Sequence, residues 1–420
     1  DQRSVGDSPT LRPLQATTPQ IRFCECWVVC RGRLVLSDSM LLRVIVGYLF
    51  CVGLVASLSA AQAPMLASEL TTRYAPYANW QSVVDVDALA QRSESRYWRT
   101  AEEIALQRGD SDLPLAGLHI ALDPGHIGGH WAAAEGRQFR IAEDDFYVRE
   151  GELVLAVAEL AQAKLMALGA KVTLLREAAV RVNPNSPLDY LELAAEQVSP
   201  PNESSLSALW VYGRAIRARA VHLSIVKGDL MERARSVNQE VQPDALISLH
   251  INAAAWPTEN ESEASESGNA MLRLVDANNL HVLIFGCLSD EELQAENQLE
   301  QLAVKLTNGS GPAERLLGGA LATALAEATE LPAARYRRNN AILLSSQQPY
   351  LFARNLLLLR MAECPTVLLE PYVANSVGAY GRLQSALANR AAGRVLAEDD
   401  ILLQYAEAVV AGVRACYGQE

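Results

Sequence analysis

The stretch Leu118-His119-Ile120-Ala121-Leu122-Asp123-Pro124-Gly125-His126 decides the fold. It opens as a short apolar run of the kind a buried strand uses. Pro124 and Gly125 then break the run, which puts His126 in the loop at the carboxyl end of the strand. A helix is predicted to begin near Glu150. Val154, Val157, Ala161, Leu165 and Leu168 follow at spacings of three and four, an apolar stripe along one face. Gly169 supplies a stop, and Lys171 to Leu175 reads as the next strand. Strand, loop, helix and strand in that order favour parallel pairing through a right-handed crossover.

The same alternation runs on towards the C-terminus. Ala245 to His250 is a strong buried-strand pattern, His281 to Phe285 is another, and Thr366 to Glu370 follows Pro365 as a third. Helices are predicted over Glu232 to Glu240, over Ala313 to Thr329 with Leu317, Leu321, Leu325 and Ala328 on one face, and over Asp399 to Cys416. The expected fold is therefore α/β, a three-layer α/β/α domain over residues 114–420 with a mostly parallel twisted sheet. Two insertions interrupt it, one near 176–231 that contains a helix from Leu206 to Val221, and a Glu- and Ser-rich surface loop near 258–268. Residues 62–113 read as a helical preface, whose Trp80, Tyr97 and Trp98 are expected to pack on the main domain.

Upstream of the preface the pattern changes. Residues 1–39 show no sustained periodicity and are read as a doubtful, disordered segment. Met40-Leu41-Leu42-Arg43 is then followed by an apolar run from Val44 to Ala56 and by small residues to Ala61. That is the layout of a secretory signal over 40–61, with Met40 favoured as the start and Ser59-Ala60-Ala61 as the cleavage signal. The run is shorter than the roughly 20 residues a spanning helix needs, so no stable membrane anchor is expected after cleavage. The expectation is export, to a periplasm or outside the cell. Four of the seven cysteines precede the cleavage site, and Cys287, Cys364 and Cys416 make no disulfide framework. A net charge of -13 offers no basic excess to neutralise phosphates, which argues against nucleic acid as a partner.

In open α/β sheets, ligands lie beyond the carboxyl ends of strands. His126, His250 and Glu370 all fall at such ends, and Glu150 opens the helix between the first two. Two imidazoles and a carboxylate are the ligand set of a catalytic zinc that keeps one position open for water. A further glutamate is what such a site needs as its base. Each residue also has an ordinary reading. His126 alone can be a loop histidine, and His250 a satisfied core histidine. Acids favour helix N-termini electrostatically, so both Glu150 and its neighbour Glu152 stay open. Glu370 ends an apolar strand, where an unpaired carboxylate is costly; its plain alternative is a salt bridge to Arg354 or Arg360. Asp123 is placed to support His126 or the turn, and Asn252 to bind substrate or make a turn. His130, Glu135 and Arg137 are candidates for the cleft lining. His281 reads as structural, and His119 and His222 as packing or surface residues.

Taken together, these residues resemble the zinc-dependent N-acetylmuramoyl-L-alanine amidases, bacterial cell-wall enzymes with an α/β catalytic domain. The motifs that carry the resemblance are Leu122-Asp123-Pro124-Gly125-His126, Ser248-Leu249-His250-Ile251-Asn252, and Val367-Leu368-Leu369-Glu370 with Asn375 five residues on. Leu155 and Ala158 stand at the family's offsets from Glu150, which favours Glu150 over Glu152; Arg233 precedes the His250 strand much as an arginine does in the family. The loop from Ile127 to Arg149 is longer than usual, and an isoleucine separates His126 from Gly128-Gly129. The resemblance implies one Zn2+ held by His126, Glu150 and His250, with Glu370 as general base. It implies peptidoglycan as the partner, and Asp123, Asn252, Arg354 and Asn375 as supporting or substrate-binding residues. Two rival readings share the same residues: an exported zinc peptidase or amidohydrolase acting on another amide, and a non-catalytic peptidoglycan-binding protein of the same fold.

Overall fold

A computed structural model describes residues 62–92, 94–256 and 273–418. The upstream segment, the signal over 40–61 and the loop 258–268 fall outside the described residues. Among the described residues no helix is long and apolar enough to cross a membrane.

Nine strands are described: β1 (His119–Pro124), β2 (Gln138–Phe139), β3 (Val148–Arg149), β4 (Lys171–Leu174), β5 (Ala245–Leu249), β6 (Leu280–Phe285), β7 (Ile342–Leu343), β8 (Leu351–Arg354) and β9 (Thr366–Pro371). Seven of them form one sheet in the order β4-β1-β5-β9-β6-β8-β7, while β2 and β3 make a separate two-stranded ribbon. β4, β1, β5 and β9 run parallel, and β8 runs parallel to β6. The mostly parallel sheet expected from the sequence is present, with two antiparallel pairings: β6 lies antiparallel to β9, and the short edge strand β7 to β8. Among the described residues no helix intervenes between β5 and β6.

Strand residues alternate between the two faces of the sheet, as the pleat requires. Ile120, Leu122, Ile247, Leu249, Val282, Ile284, Val367 and Leu369 share one buried cluster. It is covered by the helices α2 (Glu150–Ala167), α6 (Ser310–Thr329) and α8 (Ile401–Tyr417), which contribute Val157, Leu321 and Val409 among others. Burying each such side chain contributes about 1.5–3 kcal/mol. The intervening residues face the other layer. Ala121 and Leu246 meet Trp98, Ala234 and Leu358, while Leu283, Phe285 and Leu368 meet Leu70, Tyr74, Trp80 and Leu302. That layer is built by the preface, by α4 (Asp229–Ser236) and by α5 (Glu296–Thr307). Trp80 and Trp98 are both buried there, as the sequence predicts.

The preface holds to the domain by a buried ion cluster as well as by apolar packing. Arg73 donates to the Phe285 carbonyl at 2.9 Å and the Gly311 carbonyl at 3.0 Å, and its guanidinium contacts the Glu314 carboxylate. Lys305 Nζ lies 2.6 Å from the same carboxylate. The apolar path of the preface ends in α1 (Ala101–Arg108), capped by Thr100 and Glu103 in a reciprocal capping box.

The 176–231 region is helical in large part. It carries a helix Leu191–Gln197 and then α3 (Leu206–His222). The helical path continues without a break through α4 to Val241, where the sequence suggests a separate short helix from Glu232 to Glu240. No proline lies between Leu206 and Val241 to end it. Helices Glu296–Thr307 and Val377–Ala391 (α7 in chain order, between α6 and α8) are not predicted from the sequence, because their apolar stripes are interrupted by Glu, Gln, Arg and Asn.

Candidate active site

The site forms where β1, β5 and β9 end together. Asp123 pairs in register with Ser248, and Leu249 with Leu369, so the residues just past these pairs emerge side by side at the carboxyl edge. His250 N donates to the Leu369 carbonyl at 2.9 Å, and Gly125 N to the Leu249 carbonyl at 2.9 Å. His126 takes a left-handed backbone conformation, φ 55°. Its carbonyl accepts Arg233 Nη2 at 2.9 Å, which fixes this uncommon turn.

One close approach brings Glu150 into the site. A Cβ built on Gly151 would lie 2.6 Å from the Gly128 nitrogen, so the first turn of α2 presses directly on the loop after His126. Glu150 is buried at the helix start, and its Oε1 accepts from Ile251 N at 3.2 Å. Glu150 Oε2 lies 3.3 Å from His126 Nε2, and Oε1 lies 2.9 Å from His250 Nδ1. Arg137 stands 3.7 Å from Oε2. The two imidazoles meet edge to face, with centroids 5.0 Å apart. One ligand atom from each of His126, Glu150 and His250 lies within 4.8 Å of the others. Glu152 is turned away, accepting from Gly129 N at 3.0 Å and Arg149 at 3.2 Å.

The donor set suits a divalent ion of intermediate softness. His126 also meets the usual condition of a ligating imidazole, that its second nitrogen face a carboxylate. Its Nδ1 lies 3.4 Å from Glu135 Oε1, while Glu135 Oε2 accepts Ile127 N at 3.0 Å. Burial raises the Glu150 pKa, but the His126 and His250 imidazoles outweigh it and hold the carboxyl at about 2. Burial lowers the His250 pKa, and the Glu150 hydrogen bond and charge overcome it, leaving the imidazole raised.

Beneath the ligands lies a buried polar brace. Asp123 Oδ1 receives Arg233 Nη1 at 2.8 Å, and Oδ2 receives the Ser248 hydroxyl at 2.7 Å. Arg233 also donates to Asp229 and to the Pro124 carbonyl. Arg176 donates to the Gly151 carbonyl at 2.8 Å, tying α2 to the loop. Asp123 thus braces the strand ends rather than the His126 ring.

Glu370 stands at the end of β9, within electrostatic reach of His250 and Glu150. Its partner is neither Arg354 nor Arg360 but His281, whose Nε2 contacts Glu370 Oε2. Burial raises the Glu370 pKa, and the His281 hydrogen bond and charge reverse the effect, so the carboxyl sits below its ordinary value. Arg354 lies over the Tyr336 ring, 5.9 Å from its centroid. Asn375 is buried and clasps Ala254, accepting its N–H and donating to its carbonyl, both at 2.9 Å. Asn252 makes a parallel bridge with Val373, and its carbonyl accepts Ala374 N at 2.8 Å. Both asparagines therefore fasten the loop after β5 to the loop after β9. His130 is exposed beside Trp131. His119 meets Thr173, and His222 meets Arg219. Sequence reasoning missed the contribution of Glu135 and His281. Glu135 stood only as a candidate for the cleft lining, and His281 only at the start of a strand whose reversed direction hid its neighbour.

Fold and site define an α/β enzyme with imidazoles and carboxylates gathered at the carboxyl edge of a mostly parallel sheet. A family profile described as N-acetylmuramoyl-L-alanine amidase matches residues 120–415, and the chain belongs to that family of hydrolases. Among solved structures, the N-acetylmuramyl-L-alanine amidase Ami1 of Mycobacterium smegmatis is 18% identical, over 73% of this chain and 99% of that one, with a TM-score of 0.39. Amidase AmiC2 of Nostoc punctiforme is 15% identical over 71% and 96%, with a TM-score of 0.34. The catalytic domain of CwlV from Bacillus (Paenibacillus) polymyxa var. colistinus is 12% identical over 71% and 96%, at 0.35. No curated protein matches the chain.

Proposed function

We propose that the chain hydrolyses the amide bond between N-acetylmuramic acid and L-alanine in peptidoglycan, with one zinc ion and Glu370 as general base. The observation that carries this reading is the gathering of His126, Glu150 and His250 within 4.8 Å. These three residues would hold the ion, with Glu135 and the Asp123–Arg233 brace fixing their orientation. When bound, zinc supplies a Lewis acid that brings the pKa of water towards neutrality and stabilises charge on the amide oxygen.

Glu370 is ionised at neutral pH, since its pKa is held down, and so is ready to accept a proton from the attacking water. The water oxygen bonds to the lactyl carbonyl carbon. As the C–N bond breaks, Glu370 returns the proton to the nitrogen, which leaves as the amine of L-alanine. The products are a glycan with a free lactyl carboxylate and a stem peptide with a free amino end.

Asn252 and Asn375 hold the two loops that flank the cleft, and Arg137 offers a half-exposed guanidinium beside Glu150. Peptidoglycan as substrate accords with export through the 40–61 signal, to a periplasm or outside the cell.

Purified peptidoglycan incubated with the full chain should release L-alanine amino groups attached to no sugar, and a chelator should stop it. Digestion without new L-alanine termini would end this reading.

A further inference from the structure

His281 is the second residue of β6, and the reversed direction of that strand sets it directly opposite Glu370. Side chains directly opposite in an antiparallel pair share one face and touch. Nε2 of His281 contacts Glu370 Oε2. Nδ1 lies 3.2 Å from the Tyr336 hydroxyl. The Tyr336 ring stacks on the imidazole, with centroids 5.6 Å apart and planes 23° apart. Phe352 backs Tyr336 at 5.1 Å, and the Arg354 guanidinium lies over the same ring. His281 itself is only 5% exposed.

The partners fix the tautomer. An ionised carboxylate can only accept, so the hydrogen must sit on Nε2. In the neutral ring Nδ1 is then the acceptor and takes the Tyr336 hydroxyl proton. Both ring nitrogens are engaged, and a ring flip would lose both hydrogen bonds.

We propose that His281 is the positioning residue of the hydrolytic base: locked by Tyr336, it holds one oxygen of Glu370 and leaves the other directed at the His126, Glu150 and His250 cluster. The proposal rests on the amidase reading with Glu370 as base. The groups that face Glu370 are His281 from β6, His250 after β5 and Glu150 from α2, with Tyr336 and Tyr405 within electrostatic reach. Glu150 opposes ionisation of Glu370, the two imidazoles favour it, and His281 alone among them hydrogen-bonds it. Removing that donor therefore destabilises the carboxylate relative to the acid.

The test uses the full zinc-loaded chain on purified peptidoglycan, and begins with the wild type. Absence of L-alanine amino groups there would sink the amidase reading, and the proposal with it. Given wild-type release, His281→Ala should lower kcat about tenfold or more with KM unchanged. Its zinc content should stay the same, and the acid limb of kcat/KM should move to higher pH. His281→Gln, which keeps an N–H donor, should recover most of the lost rate. Should His281→Ala fail to melt cooperatively, Tyr336→Phe decides, with an expected fall in kcat of about threefold or more at constant KM. A deciding variant that keeps wild-type kcat and acid limb overturns the proposal alone. So does a loss confined to KM or to zinc content.

Discussion

Gly125 and His250 stand in such close contact that a Cβ at position 125 would lie 2.3 Å from the imidazole Cε1 and 2.4 Å from Nε2. The absence of a side chain at 125 is what lets the His250 ring lie over the β1 loop. Gly125→Ala should therefore displace the ring, at a stability cost of about 1–3 kcal/mol. It should also weaken zinc binding by about tenfold or more. Denaturant unfolding and zinc titration of the variant check both effects. Unchanged zinc affinity would show that the ring finds room elsewhere.

The Asp123–Arg233 pair is fully buried, and Arg233 has no solvent to turn to. Arg233→Leu should cost about 3–5 kcal/mol, because it leaves Asp123 and Asp229 charged and uncompensated. Arg233→Lys should restore charge without the forked contacts to Asp123, Pro124 and His126, and recover only part of that loss. Equilibrium unfolding midpoints of the two variants measure the difference.

The same pair sets a pH dependence. Burial raises the Asp123 pKa, but the Arg233 charge and the Ser248 hydroxyl reverse this and hold it below the ordinary value of an aspartate. A carboxyl whose folded pKa is depressed contributes stability above its unfolded pKa and loses it as pH falls through the folded value. The stability gap between wild type and Asp123→Asn should thus be constant near neutrality and narrow below about pH 4. Urea unfolding at pH 6 and pH 3 reads it. A gap that widens in acid would contradict this assignment.

The reach of the sequence is visible at particular residues. β1, β5 and β9 were legible because their apolar runs end in Pro, Gly or His, and α2 because its stripe keeps the helical period from Val154 to Leu165. His126, Glu150 and His250 were legible as a joint pattern, since each falls at an element end. The direction of β6 was not, because an apolar strand carries no mark of its orientation, and with it went the pairing of His281 with Glu370. Glu135 was no more than a cleft candidate, because its reach back to His126 depends on the path of an irregular loop. Asn375 and Asn252 read as possible substrate contacts; their backbone partners lie on a neighbouring loop that local pattern cannot see.

Glu370→Gln removes the base while leaving the three ligand side chains in place. The amide can still accept the His281 N–H, so the local packing should survive. Zinc content should match the wild type, and hydrolysis of peptidoglycan should fall by about 10²–10⁴-fold. Full activity in this variant would remove Glu370 from the mechanism.

Zinc binding and folding should be coupled at this site. A ligand that binds only the folded chain adds about 2.7 kcal/mol of stability at a hundredfold excess over its Kd. Added zinc should therefore raise the melting temperature of the chelator-treated chain, with about one ion bound per chain. In His250→Ala the shift should shrink, because the remaining imidazole and carboxylate leave the ion one protein ligand short. In Glu370→Gln it should persist, because that residue is assigned no bond to the metal. The pair separates ligand from base without an activity assay: a lost shift in Glu370→Gln would make Glu370 a ligand, and a full shift in His250→Ala would move the ion away from the three-residue cluster.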